Sequence, residues 1–148
     1  MPMIEIWDGP DVRLCDLLDQ VPALHELDWS IMEIWAVARD DDTDVVALER
    51  EAAASPVGLA LSGERLRDLA CRLSQVVDGI IAGYEGTPPV RSDADLCVSA
   101  EVVIETVDST FWRIYARNTA VIDRMRRRYE DVRDIVPEMA LPPVHEKS

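Results

Sequence analysis

The feature that most constrains the fold of this chain is a pair of alternating segments, 101–107 and 111–117, on either side of a short polar turn. Side chains of a β-strand point alternately to opposite faces, so two such segments predict a β-hairpin. A three-residue turn places Glu105 opposite Arg113 and Glu101 opposite Arg117. Because a shift of one residue would break both charge pairs and turn each strand over, this register is the one we expect.

In that register the two faces of the hairpin differ in character. One face is expected to pack into the core and carries Val102, Ile104, Thr106, Trp112, Ile114 and Ala116. The other face is charged and carries Glu101, Glu105, Arg113, Tyr115 and Arg117.

Periodicity predicts the remaining elements. We expect strands at 4–7, 27–38 and 80–84, and helices at 11–20, 63–78 and 119–132. Strand 27–38 is apolar on both faces, so we place it centrally with cover on both sides. The segment 45–48 fits either a strand or a helix, because it begins a sequence with good helix formers.

Together these elements predict an α+β fold: a mostly antiparallel sheet of four to six strands with three packed helices. We expect a single domain over residues 1–136. Residues 137–148 contain three prolines and are expected to form a flexible C-terminal tail.

The net charge of the chain limits the classes of partner that we expect it to bind. It has 29 acidic and 15 basic residues, a net charge of −14. Binding to nucleic acid depends on cationic side chains, so we expect no nucleic-acid partner. The same negative charge favours a basic protein as the binding partner. Nearly all basic residues are arginine, a bias common in high-GC bacterial genomes.

The sequence predicts a cytoplasmic protein without a membrane span. No apolar run approaches the roughly 18 residues that a spanning helix needs, and the N-terminus lacks a basic flank before an apolar core. Three widely spaced cysteines, Cys15, Cys71 and Cys97, argue against a disulfide framework and against a zinc site. We find no cofactor motif and no complete catalytic motif.

The acidic run Asp40, Asp41, Asp42 and Asp44 is the first candidate site. With Glu51 it partly matches a calcium-binding loop, but Val45 stands where that loop needs glycine. We therefore expect no metal. A solvated turn is the simplest interpretation, and an acidic loop that docks on a basic partner is the functional one.

The charged face of the hairpin is the second candidate. Glu101 and Glu105 could act as a catalytic carboxylate pair, but the facing arginines should lower the pKa of both carboxyls, which is wrong for a general acid. Ion pairs on a solvated strand surface explain the same residues. If this face binds a partner, Arg113 and Tyr115 are the residue types that anchor interfaces.

These observations favour a small acidic protein-binding module, most simply an inhibitor or immunity-type protein that neutralises a basic toxin or nucleic-acid-acting enzyme. One alternative is an enzyme that uses Glu101 and Glu105, or His25. Another is a structural homo-oligomer, such as a homodimer, which would be favoured if the second face of strand 27–38 has no cover within the chain. The four tryptophans are expected to be core and sheet residues.

Overall fold

A computed structural model describes residues 2–88 and 99–135 of the chain. Cys97, His145 and the predicted tail 137–148 lie outside the described residues. The strands are β1 (Met3–Ile6), β2 (Asp28–Ala38), β3 (Leu59–Ser62), β4 (Leu73–Tyr84), β5 (Val102–Val107), β6 (Phe111–Ala116) and β7 (Val132–Asp134). The helices are α1 (Leu14–Leu18), α2 (Val45–Ala54), α3 (Gly63–Cys71) and α4 (Thr119–Arg128), with a short 3-10 helix at Leu24–Glu26.

The strands form one antiparallel sheet in the order β3-β2-β4-β5-β6-β1-β7. The predicted hairpin is confirmed as β5 and β6, with Val107 opposite Phe111 and Glu105 opposite Arg113. Its turn residues Asp108 and Ser109 both have positive φ angles, and the amide of Ser109 donates to the carbonyl of Val77 on β4. The turn is therefore held against the neighbouring strand.

One face of the sheet, which we call the helix face, carries the main core. Residues from all four helices belong to its cluster, together with Ile4, Ile81, Ile104 and Ile114 from the strands. A second cluster on the opposite face contains Met3, Ala82, Tyr84, Ala100, Val103 and Tyr115, and no described helix contributes to it. None of the described helices is long and apolar enough to cross a bilayer.

The α+β fold is as predicted, but the sheet has seven strands instead of four to six, and the described residues form four α-helices instead of three. Two of the strands that prediction missed, β3 and β7, are short edge strands of four and three residues. Strands this short contain too few alternating polar and apolar positions to be recognised from the sequence. The ambiguous segment 45–48 begins α2, because the Asp44 side chain accepts a hydrogen bond from the Ala47 amide and caps the helix.

The predicted helix 63–78 is wrong in its second half. The helix ends at Cys71, and β4 begins at Leu73. Val37 lies opposite Gln75 and Ala38 opposite Leu73, so the end of β2 draws this segment into the sheet. Val76 fits either structure locally, and only pairing with a strand more than 30 residues away decides between them.

The prediction that strand 27–38 is covered on both faces is also wrong for its second half. An irregularity at Met32 separates the pair Ile31–Ile81 from the pair Glu33–Ile80. An extra residue reverses the alternation, so Trp29 and Ile31 join the main core before it, and Ile34 joins it after it. The odd positions beyond it turn outward, and Trp35 and Val37 are 56% and 49% exposed.

The expectation that the cysteines form no disulfide is wrong as well. Cys15 on α1 and Cys71 at the end of α3 are bonded, with their Cα atoms 5.1 Å apart. Sequence spacing gave no sign of the pair, because the two helices meet only in the folded chain.

Candidate protein-binding surface

The face of the sheet opposite the helices carries a row of paired positions that crosses six strands. Each residue lies directly opposite the next on the adjacent strand, and we call the set the charged row. Its members, from β2 to β7, are Glu33, Ile80, Glu105, Arg113, Glu5 and Arg133. Directly opposed residues of an antiparallel sheet point to the same face and contact one another.

Arg113 is the centre of this row. Its Nη2 lies 3.0 Å from Oε2 of Glu5, and its Nη1 lies 3.1 Å from Oε1 of Glu105. The three side chains are 11–15% exposed, so the expected solvated ion pair is largely buried. Because one guanidinium donates to two carboxylates, it joins β5, β6 and β1.

The expectation that arginines lower the pKa of both candidate carboxyls is wrong for Glu105. Burial raises the pKa of Glu105, and the lowering by Arg113 does not offset it; Glu33 and Glu5 raise it further. A largely buried carboxylate loses its hydration, and this loss favours the neutral form. The Glu105 carboxylate accepts a hydrogen bond of 3.1 Å from Nη1 of Arg113.

The remaining residues of the predicted hairpin face lie beside the charged row. Nε of Arg117 lies 3.7 Å from Oε1 of Glu101, as the predicted register requires. Tyr115 is only 5% exposed and belongs to the second apolar cluster. The structure therefore brings the five predicted residues to one face, but it buries Tyr115 instead of presenting it as an exposed anchor.

An aromatic stack follows the charged row at the β1 end. The rings of Trp7 and Phe111 are stacked with centroids 4.7 Å apart. The guanidinium carbon of Arg133 lies 4.4 Å from the Trp7 ring centre, and that of Arg113 lies 5.3 Å from the Phe111 ring centre. The indole nitrogen of Trp7 donates to Glu5. Sequence reasoning missed this stack, because β1 and β6 are neighbours in the sheet but more than 100 residues apart in the sequence.

The acidic turn, residues 40–44, divides into structural and exposed groups. Oδ1 of Asp40 accepts hydrogen bonds from the amides of Asp42 and Thr43, and the hydrogen bonds from Thr43 lower the pKa of Asp40. Asp44 caps α2. The side chains of Asp41 and Asp42 are exposed, so these two carry the charge that a partner would meet.

Trp35 gives the acidic turn an apolar neighbour. It lies on β2, five residues before Asp40, and Val37 on the same face is also exposed. Asp78 lies directly opposite Trp35 on β4, and Glu33 precedes Trp35 on its face. Sequence reasoning placed Trp35 in the core, and only the irregularity at Met32, which the sequence does not mark, turns it outward.

His25 lies apart from these surfaces. It is exposed and lines an open cleft of about 570 Å³ with Glu64, Arg65, Arg67 and Asp68. Neither Glu101 nor Glu105 lines this cleft. Across residues 2–88 and 99–135, no three His, Cys, Asp or Glu side chains are grouped in a way that could hold a metal ion.

In comparisons with known proteins, no family model, no curated protein and no solved structure matches this chain.

Proposed function

We propose that this protein is a binding module for a basic protein, of the inhibitor or immunity type, which covers the cationic surface of a toxin or nucleic-acid-acting enzyme. The observation that carries the proposal is Trp35, which is 56% exposed on the strand that leads into the acidic turn. Tryptophan is enriched among the residues that dominate binding energy at protein interfaces.

Charge supports a basic partner. Exposed Asp41 and Asp42 follow the Trp35 strand, and the chain as a whole carries −14. Enzymes that bind phosphate groups present basic sites, and an acidic surface can occupy such a site. Opposite charge also speeds the encounter of two proteins, which suits an inhibitor that must reach its target quickly.

The arrangement of the carboxylates favours binding over catalysis. Arg113 holds Glu105, and Arg117 lies beside Glu101. A general acid needs a carboxyl that can reach its substrate, whereas the Glu105 side chain is 15% exposed within a row of paired side chains. The raised pKa of Glu105 thus has a structural explanation in its burial.

A homo-oligomer is the second candidate function. It is favoured by the same exposure of Trp35 and Val37, because no described residue covers this part of the sheet. Light scattering coupled to size-exclusion chromatography, over a wide range of protein concentrations, tests it. A monomer at all concentrations would exclude the homo-oligomer, and a dimer that Trp35→Ser converts to a monomer would favour it over the basic partner.

The main test is affinity capture from the native cell extract, with elution in steps of salt and identification by mass spectrometry. We compare the wild type with Asp41→Asn/Asp42→Asn and with a control of equal charge change, Glu26→Gln/Glu64→Gln, at exposed sites in the 3-10 helix and in α3. The proposal requires a basic protein that the wild type and the control retain to higher salt than the turn variant. Retention of no basic protein, or equal loss in both variants, would overturn it.

A further inference from the structure

We infer that Trp35, Glu33 and Asp78 form a receptor for an arginine side chain of the partner, and we call these three residues the Trp35 receptor. The inference rests on the proposed function and deepens it, because it names the chemical group that the surface recognises. It is argued from two arginine sites that the same face of the sheet already contains.

The first of these sites is formed by Trp7 and Arg133. The guanidinium carbon of Arg133 lies 4.4 Å from the centre of the Trp7 ring. The carboxylate of Asp131 accepts two hydrogen bonds of 3.1 Å from the same guanidinium. An aromatic ring and a carboxylate thus bind one arginine together, which satisfies its charge and its flat surface.

The second site repeats the arrangement on β6, which β1 separates from β7. Arg113 lies 5.3 Å from the centre of the Phe111 ring, and its nitrogens donate to Glu5 and Glu105. The ring and the carboxylates again lie on the same face. Two neighbouring sites of this kind show that the geometry of this sheet face suits a guanidinium.

The Trp35 receptor has the same kinds of side chain on the same face, near the opposite edge of the sheet. Trp35 lies directly opposite Asp78, so their Cβ atoms are about 5 Å apart. Glu33 points to the same face two residues earlier, about 7 Å along the strand. One Asp78 oxygen accepts a hydrogen bond of 2.9 Å from the amide of Asp108, in the turn after β5, and this bond restrains the carboxylate on β4.

The Trp35 receptor differs from the other two sites in that no arginine of the described residues occupies it. Among the described residues, none places a cationic group on the Trp35 ring, and no salt bridge joins Glu33 or Asp78 to a described basic side chain. The two arginines that flank this end of the sheet are directed elsewhere. Arg39 donates to the Cys71 carbonyl, and Arg72 pairs with Asp68.

The chemistry of the surface selects arginine among possible ligand groups. An apolar side chain on Trp35 would remove water from two carboxylates without supplying a partner, at a cost in free energy. A lysine supplies charge, but its compact ammonium cannot cover an indole and donate to two carboxylates as a planar guanidinium can. Exposed Val37 lies on the same face and can pack against the aliphatic stem of the arginine.

The test uses the full-length, nitrogen-15-labelled protein and three synthetic strand-forming peptides with blocked termini. They are identical except that alternate positions carry arginine, lysine or citrulline, the last being a neutral isostere of arginine. Titrations are followed by the indole N–H signals of the tryptophans in NMR spectra. We expect the arginine peptide to shift the Trp35 signal more than that of buried Trp29, and to bind about fivefold more tightly than the lysine peptide. The citrulline peptide should not shift it.

Variants separate the contribution of the Trp35 ring from that of the Glu33 and Asp78 carboxylates. Trp35→Leu keeps an apolar side chain but should weaken binding of the arginine peptide about fivefold, whereas Trp35→Phe should weaken it less. Glu33→Gln/Asp78→Asn should remove the preference for arginine over citrulline, and Glu26→Gln/Glu64→Gln should not. Equal binding of the arginine and lysine peptides, no change in Trp35→Leu, or no shift of the Trp35 signal would each overturn the inference.

The two proposals can fail separately. If a captured basic protein depends on Asp41 and Asp42 but binds Trp35→Leu as well as it binds the wild type, the proposed function stands and the Trp35 receptor is wrong. If the arginine peptide binds at Trp35 but no basic protein is captured from the extract, the receptor stands and the inhibitor function is wrong.

Discussion

The guanidinium of Arg113 lies 3.0 Å from a carboxylate oxygen of Glu5, although 108 positions separate the two residues in the sequence. The contact exists because the N-terminal strand β1 lies between β6 and β7. The same guanidinium holds Glu105 on β5. One arginine therefore pairs with two largely buried carboxylates and links three adjacent strands.

Removal of this arginine should destabilise the fold strongly. In Arg113→Met, two carboxylates lose their cation in a site with little water, and we expect the free energy of unfolding at neutral pH to fall by about 3–5 kcal/mol. The loss should shrink in acid, where the carboxyls can be protonated. Urea unfolding measures both effects. The matched control is Arg113→Met with Glu5→Gln and Glu105→Gln, which should recover much of the loss; equal instability of the two variants would contradict this account.

The raised pKa of Glu105 predicts a particular pH dependence. Burial raises it above the ordinary value of 4.5, so the folded state binds the proton more tightly than the unfolded state does. The stabilisation from this group is complete below 4.5 and is lost as pH rises through the folded pKa. We therefore expect wild-type stability to fall relative to Glu105→Gln over that interval, as measured by urea unfolding at a series of pH values. The exposed substitution Glu64→Gln is the control, and a rise of wild-type stability relative to Glu105→Gln would show that the sign is wrong.

The disulfide between Cys15 and Cys71 should contribute to stability through the loop it closes. It joins residues 56 positions apart, and a cross-link of this span stabilises a fold by about 2–4 kcal/mol, largely through the unfolded chain. We expect Cys71→Ala to lose this amount under oxidising conditions. A reductant should lower the stability of the wild type towards that of the variant and leave the variant unchanged. Identical unfolding of the wild type with and without reductant would show that the bond does not form.

Tyr129 should tolerate loss of its hydroxyl. Its side chain is 6% exposed, and its hydroxyl has no hydrogen-bond partner among the residues that the structure describes. An unpaired buried polar group is costly, so Tyr129→Phe should leave the free energy of unfolding unchanged or raise it by about 1 kcal/mol. Tyr129→Ala, the contrasting variant, should lower it by about 3–5 kcal/mol, because it opens a cavity. A clear loss of stability in Tyr129→Phe would mean that the hydroxyl is paired.

The same burial raises the pKa of Tyr129 to about 12. Its folded pKa lies above the ordinary value of 10.0, so stability from this group is lost as pH rises through that range to about 12. An ultraviolet titration of the phenolic absorbance should lose its most alkaline component in Tyr129→Phe. Loss of a component near 10 instead would place this hydroxyl in water.

The sequence predicted those features that depend on neighbouring residues. Alternation and two opposite-charge pairs fixed the hairpin of β5 and β6 in its true register, including the contact between Glu105 and Arg113. Capping chemistry is equally local, and the side chain of Ser62 accepts a hydrogen bond from the amide of Arg65 at the start of α3. Such signals survive without the rest of the chain, because the interacting groups are close in the sequence.

The candidate binding surface could be predicted only in part. Asp40, Asp41, Asp42 and Asp44 were singled out from their charge, but Glu5, Trp7 and Arg133 were not. Only strand pairing brings Glu5 and Arg133 into the charged row and Trp7 onto the ring of Phe111. For Trp35 the prediction failed in the other direction, because a residue expected in the core lies on the surface. Its apolar character suggested the core, while an extra residue at Met32 reverses the alternation and turns the ring outward.

Local patterns in the sequence were enough to predict the class of fold, the hairpin register and the acidic character of the protein. Tertiary structure alone decided that β1 lies beside β6, that Cys15 meets Cys71, and that the second half of β2 presents Trp35 instead of burying it. The physical reason is the same in each case. Local patterns specify which face of an element is apolar, but the partner of that face is chosen by contacts between residues far apart in the chain.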